Sequence, residues 1–174
     1  GASKVALNLG NLHLRSERFA DALPCFREAG QWFAANAAHE HAAMAAIGQG
    51  DALAALGEVG AAERAYGQAR GSAAAHGLPV LQAMADESMA LLDLARGRWR
   101  EALAGLERSR QGYAALDMPQ HLAVAEKQLA DGYLALRLLP EAIAGFDAAI
   151  ERFAVLGLHV ERAWALLQRG RALA

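Results

Sequence analysis

The chain has 174 residues, of which 55 % are hydrophobic, 6 % aromatic and 21 % charged, and 17 basic against 19 acidic side chains give a formal charge of −2. These figures exclude a disordered chain, which lacks the apolar residues to form a core, and a polybasic nucleic-acid binder, which would carry a clear positive excess. Alanine dominates the apolar set and 17 glycines accompany it, a composition that favours helices packed at close range over one large globular centre.

The elements follow from an internal repeat of 40 residues without insertions. Small residues recur at Gly10, Gly50, Ala90, Ala130 and Gly170, alanines at Ala22, Ala62, Ala102 and Ala142, and large apolar residues at Phe26, Tyr66, Leu106 and Phe146. Further columns hold the same register: Phe19, Val59, Trp99 and Leu139; Ala43, Ala83, Ala123 and Ala163; Phe33, Ala73, Tyr113 and Phe153. The units run over about 3–42, 43–82, 83–122 and 123–162, with a partial unit at 163–174. Within each, two stretches with apolar residues at i, i+3, i+4 and i+7 predict a pair of amphipathic helices.

In the first unit, Pro24 lies several residues into the second helix, where the lost N–H predicts a local irregularity. The second unit places Gly50 opposite Ala62 with Tyr66 above them, a close crossing of two helices. In the third unit the first helix is expected from about Pro79 to Arg96 and the second from Trp99 to Leu116, separated by Gly97-Arg98. In the fourth, Ala130, Ala142 and Phe146 form another crossing and Pro140 fits the first turn of a helix. Turns between units are marked by Gly77-Leu78-Pro79, Asp117-Met118-Pro119 and Gly157-Leu158-His159, since glycine ends a helix in the left-handed conformation and proline starts one. A last helix begins near His159, giving about nine. Its Trp164, Leu166 and Leu167 have no second helix to cover them, so a longer native chain, or a homodimer through this helix, is expected.

These residues resemble the tetratricopeptide repeats, whose pattern has a Leu-Gly pair and an aromatic in the first helix, then Ala and an aromatic in the second. LNLGNLHL, FADALPCFREA, LADGYLAL and LPEAIAGFDAAI match it, while Gln49, Leu53, Ala90 and Asp93 depart from it. The 40-residue period is similar to an elongated subclass of the family. The resemblance implies an all-α, right-handed solenoid of antiparallel helix pairs, whose first helices line a concave groove for a protein or peptide. The implied groove stripe includes Lys4, Leu7, Asn11 and Leu14; Met44, Ile47 and Asp51; Met84, Glu87, Leu91 and Leu94; Val124, Lys127, Asp131 and Leu134; and Trp164, Leu167 and Arg171. The i, i+3, i+7 spacing puts each set on one helix face. A structural reading stands beside this one: Met44, Met84 and Leu94 pack on neighbouring helices, and Glu87 pairs with Lys127. The family's carboxylate clamp is not expected, because Asn11 matches it but Leu7, Gly48, Met84 and Ser88 occupy its other positions.

Other chemistry is sparse. His39 and His41 splay apart on a helix without a third ligand nearby, so no metal or cofactor is expected. The arginines Arg96, Arg98, Arg100, Arg108 and Arg110 are diluted by Glu101 and Glu107, which argues against nucleic acid. No apolar run reaches the roughly 18 to 20 residues of a membrane span, nothing at the start resembles a signal peptide, and the single Cys25 fits a reducing compartment. A cytoplasmic, non-catalytic interaction scaffold is the resulting expectation. Segments such as LARGRWREALAGLERSRQGYAALDMP also resemble bacterial arrays that precede CHAT protease domains. The alternative is the ligand- or peptide-sensing array of a bacterial transcriptional regulator.

Overall fold

The computed structural model describes residues 1–174, and all nine elements are α-helices. They are α1 (Ala2–Arg15), α2 (Phe19–Ala35), α3 (His39–Ala55), α4 (Val59–Ala75), α5 (Pro79–Ala95), α6 (Trp99–Ala115), α7 (Pro119–Ala135), α8 (Leu139–Val155) and α9 (His159–Leu173). The seven helices α2 to α8 have 17 residues each, or about 25 Å at 1.5 Å per residue. The helix ends predicted in the third unit lie within one residue of those observed.

One turn joins every helix to the next. A residue with positive φ stands at Glu17, Ala37, Gly57, Gly77, Gly97, Asp117, Arg137 and Gly157, spaced by twenty residues throughout. The following amide in each case donates to a carbonyl five residues back, as in Arg18 to His13 at 2.8 Å, Ala38 to Phe33 at 2.9 Å and Leu158 to Phe153 at 2.9 Å. This Schellman closure satisfies the last carbonyls of one helix and reverses the chain. Half of these turns use a residue other than glycine, so the backbone repeats every twenty residues while the side chains repeat every 40.

The chain forms two compact units, Gly1–Leu92 and Asp93–Ala174. In the first, Phe26 is fully buried and its ring lies between two helices that carry glycine where it docks. A Cβ on Gly10 would stand 2.9 Å from that ring and one on Gly48 2.5 Å. Tyr66 repeats the device, with its ring 2.4 Å from where a Gly50 Cβ would be. Leu7, Ala22, Ala29, Phe33, Ala45 and Ala52 complete the core around Phe26. In the second unit, Ala130, Ala142, Phe146, Ala149, Phe153 and Ala165 form the corresponding cluster, and a Cβ on Gly145 would meet the Ala130 methyl at 2.9 Å. Two of the large residues read from the sequence are thus knobs in sockets: the rings of Phe26 and Tyr66, each from a second helix, enter the space left by glycines.

Two buried acids depart from the alanine pattern. Asp86 of α5 and Glu126 of α7 are 4 % and 8 % exposed, and each is paired to an arginine of another helix of its own unit. Arg70 Nε lies 2.9 Å from Asp86 Oδ1, and Arg152 Nε donates to Glu126 Oε2 at 2.7 Å. The irregularity expected at Pro24 is not seen. α2 runs through it without a break, and both Pro24 and Ala20, the residue whose carbonyl loses the amide of residue 24, are exposed.

Candidate interaction site

In the first unit the stripe residues lie on α1, α3 and α5. Asn11 is exposed, and Met44 and Leu91 are each 39 % exposed. Met84 and Glu87 are half-buried. Ile47 is a correction to the expected stripe: it is 6 % exposed and sits in a core cluster with Ala43, Ala69, Ala73, Leu81 and Ala85. Leu7 is likewise a core residue. An i, i+3, i+7 row on a helix flanked by neighbours borders the core along one edge, so its spacing does not separate groove from interior.

The polar centre of this unit is Asp51. The Tyr66 hydroxyl donates to its Oδ1 at 2.8 Å, so one tyrosine uses its ring on Gly50 and its hydroxyl on the adjacent aspartate. Burial holds the Asp51 carboxyl above the usual carboxylate range; the Tyr66 hydrogen bond opposes this and the Glu87 charge adds to it. Burial and the Asp51 charge push the Tyr66 phenol well above its ordinary value. The sign for stability follows directly. The folded state holds this proton more tightly than the unfolded chain, so Asp51 costs stability as pH rises from about 4 through its folded pKa. Asp51→Asn keeps an acceptor for Tyr66 and removes the charge. The variant is expected to melt higher than the parent at pH 7.5, with the gain shrinking toward pH 4.5, in a calorimetric pH series.

In the second unit, five stripe residues, Lys127, Asp131, Leu134, Trp164 and Arg171, come together on α7 and α9. Lys127 Nζ donates to Asp131 Oδ2 at 2.9 Å and lies 4.0 Å from the centroid of the Trp164 ring. Burial raises the Asp131 carboxyl, with the Lys127 hydrogen bond and charge pulling it down. Arg171 donates to Gln168 Oε1 at 3.0 Å. Asp131, Trp164 and Arg171 line one cavity of about 620 Å³, together with Leu134, Arg137, Leu139 and Gln168. Sequence reasoning missed Arg137, Leu139 and Gln168. Arg137 is at a turn with φ 59, outside any helical stripe, so no periodic spacing marks it. The cavity's charges divide unevenly, because Asp131 is neutralised by Lys127 whereas Arg171 is bonded to a neutral amide.

The histidines do not converge on a metal site. His39 stacks on His76 with ring centroids 3.5 Å apart, His41 packs on Phe33, and no group of three or more His, Cys, Asp or Glu side chains could hold an ion. Two of the arginines in and beside α6 are tied to acids, Arg98 to Asp93 and Arg110 to Glu107 at 2.7 Å. No helix is long and apolar enough to cross a membrane.

Comparison with known proteins defines the class. No protein-family model and no curated protein sequence matches the chain. Among solved structures, aspartyl phosphate phosphatase F from Bacillus subtilis is similar with a TM-score of 0.88 and 11 % identity, over 94 % of this chain and 43 % of that one. A Rap protein complexed with competence and sporulation factor has a TM-score of 0.83 at 12 % identity, over 88 % of this chain and 43 % of the other. A Podosopora anserina protein named for kinesin light chain and nearly identical TPR-like repeats has a TM-score of 0.78 at 18 % identity, over 97 % of this chain and 84 % of that one. The chain therefore has a tetratricopeptide-like helical repeat fold. It spans less than half the length of the first two.

Proposed function

We propose that the chain is a non-catalytic scaffold that binds a protein or peptide, and that the α7–α9 cavity of the second unit is the place where a partner side chain enters. The observation that carries this reading is the convergence of Asp131, Trp164 and Arg171 on one cavity of about 620 Å³. A site built of one aromatic wall, apolar flanks and a few fixed polar groups is the usual form of a recognition pocket. With Asp131 already paired to Lys127, Arg137 and Arg171 supply the uncompensated charge. The fitting side chain is an apolar or aromatic body carrying an acidic group. In the first unit, Asn11, Met44, Asp51, Met84, Glu87 and Leu91 are a candidate surface of their own, whose acids favour basic residues. Nucleic acid and membrane are not proposed as partners.

The structural likeness to a Rap protein complexed with competence and sporulation factor supports a sensing role, in which partner binding regulates an attached domain. That favours the regulator reading; the CHAT-type protease arrangement rests on sequence resemblance alone. A cytoplasmic setting goes with either.

Selection of a random-peptide display library on the intact chain tests the proposal. Trp164→Ala is expected to weaken the selected peptides about tenfold or more, as a central aromatic anchor does, while Tm changes little because only a half-exposed ring and one cation–π contact are lost. Undiminished binding by this variant would refute the assignment.

A further inference from the structure

A second cavity lies in the first unit, between α2, α3 and α4, and measures about 370 Å³, within the range of small-molecule pockets. Half-buried Gly30, Ala42 and Ala46 form its back, and Arg27, Gln31, Gln49 and Gln68 stand around it. None of these four polar side chains has a hydrogen bond or ion pair within the chain. The 40-residue register shows why the space is there. One repeat after Gly30 and Ala46 come Arg70 and Asp86, and two repeats after come Arg110 and Glu126. Arg70 Nε lies 2.9 Å from Oδ1 of the buried Asp86; Arg110 and the buried Glu126 attract each other, and Glu126 also accepts from Arg152 at 2.7 Å. In the first repeat both members of the pair are cut back to glycine and alanine, so the volume that an internal pair takes elsewhere is open. The lining changes with it. Arg27 stands where the later repeats carry Gly67, Glu107 and Asp147, and Gln49 stands where they carry the apolar Met89 and Leu129.

We infer that this cavity binds a small aliphatic hydroxycarboxylate of the sugar-acid type, at a site separate from the partner cavity of α7 and α9. Arg27 is the only charged group lining it, and a guanidinium takes a carboxylate through two parallel N–H bonds. The adjacent Glu28 faces a different cavity, beside Trp32, and leaves the Arg27 charge uncompensated. Each of the three primary amides both donates and accepts, as does each hydroxyl group of a sugar acid. No carboxylate lines the cavity to hold an ammonium group, and no aromatic ring offers a stacking face, so amino acids, nucleobases and aromatic acids are poorer occupants. An acidic side chain of a protein brings the carboxylate but no hydroxyls for Gln31, Gln49 and Gln68.

Isothermal titration calorimetry of the intact chain with gluconate tests this, with sorbitol, which lacks the carboxylate, and hexanoate, which lacks the hydroxyls, as comparators. Saturable binding of one gluconate per chain is expected, and binding of either comparator tenfold or more weaker. Arg27→Ala, a change at an exposed side chain without partners, is expected to weaken gluconate tenfold or more at an unchanged Tm. A second variant, Gly30→Arg with Ala46→Asp, writes the Arg70–Asp86 pair into the cavity. A Cβ on Gly30 meets only the Ala45 methyl, at an ordinary 3.5 Å, so the fold is expected to hold while gluconate binding is lost. Trp164→Ala is expected to leave gluconate binding unchanged, which separates this site from the cavity of α7 and α9. Absence of saturable binding, equal affinity for sorbitol or hexanoate, or undiminished binding by Arg27→Ala would each overturn the inference.

Discussion

Phe26→Ala is expected to cost the first unit about 3–5 kcal/mol, the range for removing a fully buried phenylalanine. The ring is 0 % exposed and is the filling for two glycine sockets, on α1 and on α3. Truncation therefore empties a space bordered by three helices at once, and collapse is limited because each is held by its own turns and neighbours. The reciprocal change works in the other direction. Gly48→Ala would bring a methyl to 2.5 Å from the Phe26 ring, forcing the ring or α3 to move at a cost of roughly 1–3 kcal/mol. Because the two residues share one contact, Phe26→Leu is expected to recover part of the Gly48→Ala loss. A double-mutant cycle by urea unfolding checks this, and strict additivity would show that ring and glycine are not a fitted pair.

Ala142→Leu is expected to destabilise the second unit by about 1–3 kcal/mol. Alanine and leucine are both good helix formers, so on propensity alone the change would be nearly neutral. Packing decides against that. Ala142 is 0 % exposed in the cluster with Ala130, Phe146 and Phe153, and one turn along α8 a Cβ on Gly145 would already press on Ala130 at 2.9 Å. α7 and α8 approach too closely for a larger side chain. Ala144→Leu, on the exposed side of α8, is the control and is expected within about 0.5 kcal/mol of the parent. Similar urea midpoints for the two variants would mean that alanine is there only for helix propensity.

Much of the fold was legible because the repeat writes packing into fixed columns. Small and large residues that meet across a helix pair recur at the same offsets, and Gly77, Gly97 and Gly157 mark ends that the structure confirms. The twenty-residue step of the turns was hidden, since Glu17, Ala37 and Arg137 take the left-handed conformation without the glycine that advertises it, and the turn at Asp117 was marked only by the proline that follows. Asp86 and Glu126 were unreadable as buried residues for another reason: their partners Arg70 and Arg152 are on other helices, so no local spacing announces the pair. Trp164, Asp131 and Arg171, named from helical rows, line one cavity, whereas Ile47 obeys the same row and is turned inward. Rows specify a helix face; neighbouring helices decide whether that face is groove or core.

The most direct test of the scaffold reading is an NMR titration of the intact chain with a display-selected peptide, following indole and methyl signals. The predicted result is saturable movement of the Trp164 indole and the Leu134 and Leu139 methyls, with Val5 and Val155, exposed and outside the cavity, unchanged. Perturbations that avoid Trp164, Leu134 and Leu139, or uniform small shifts that never saturate, would contradict it.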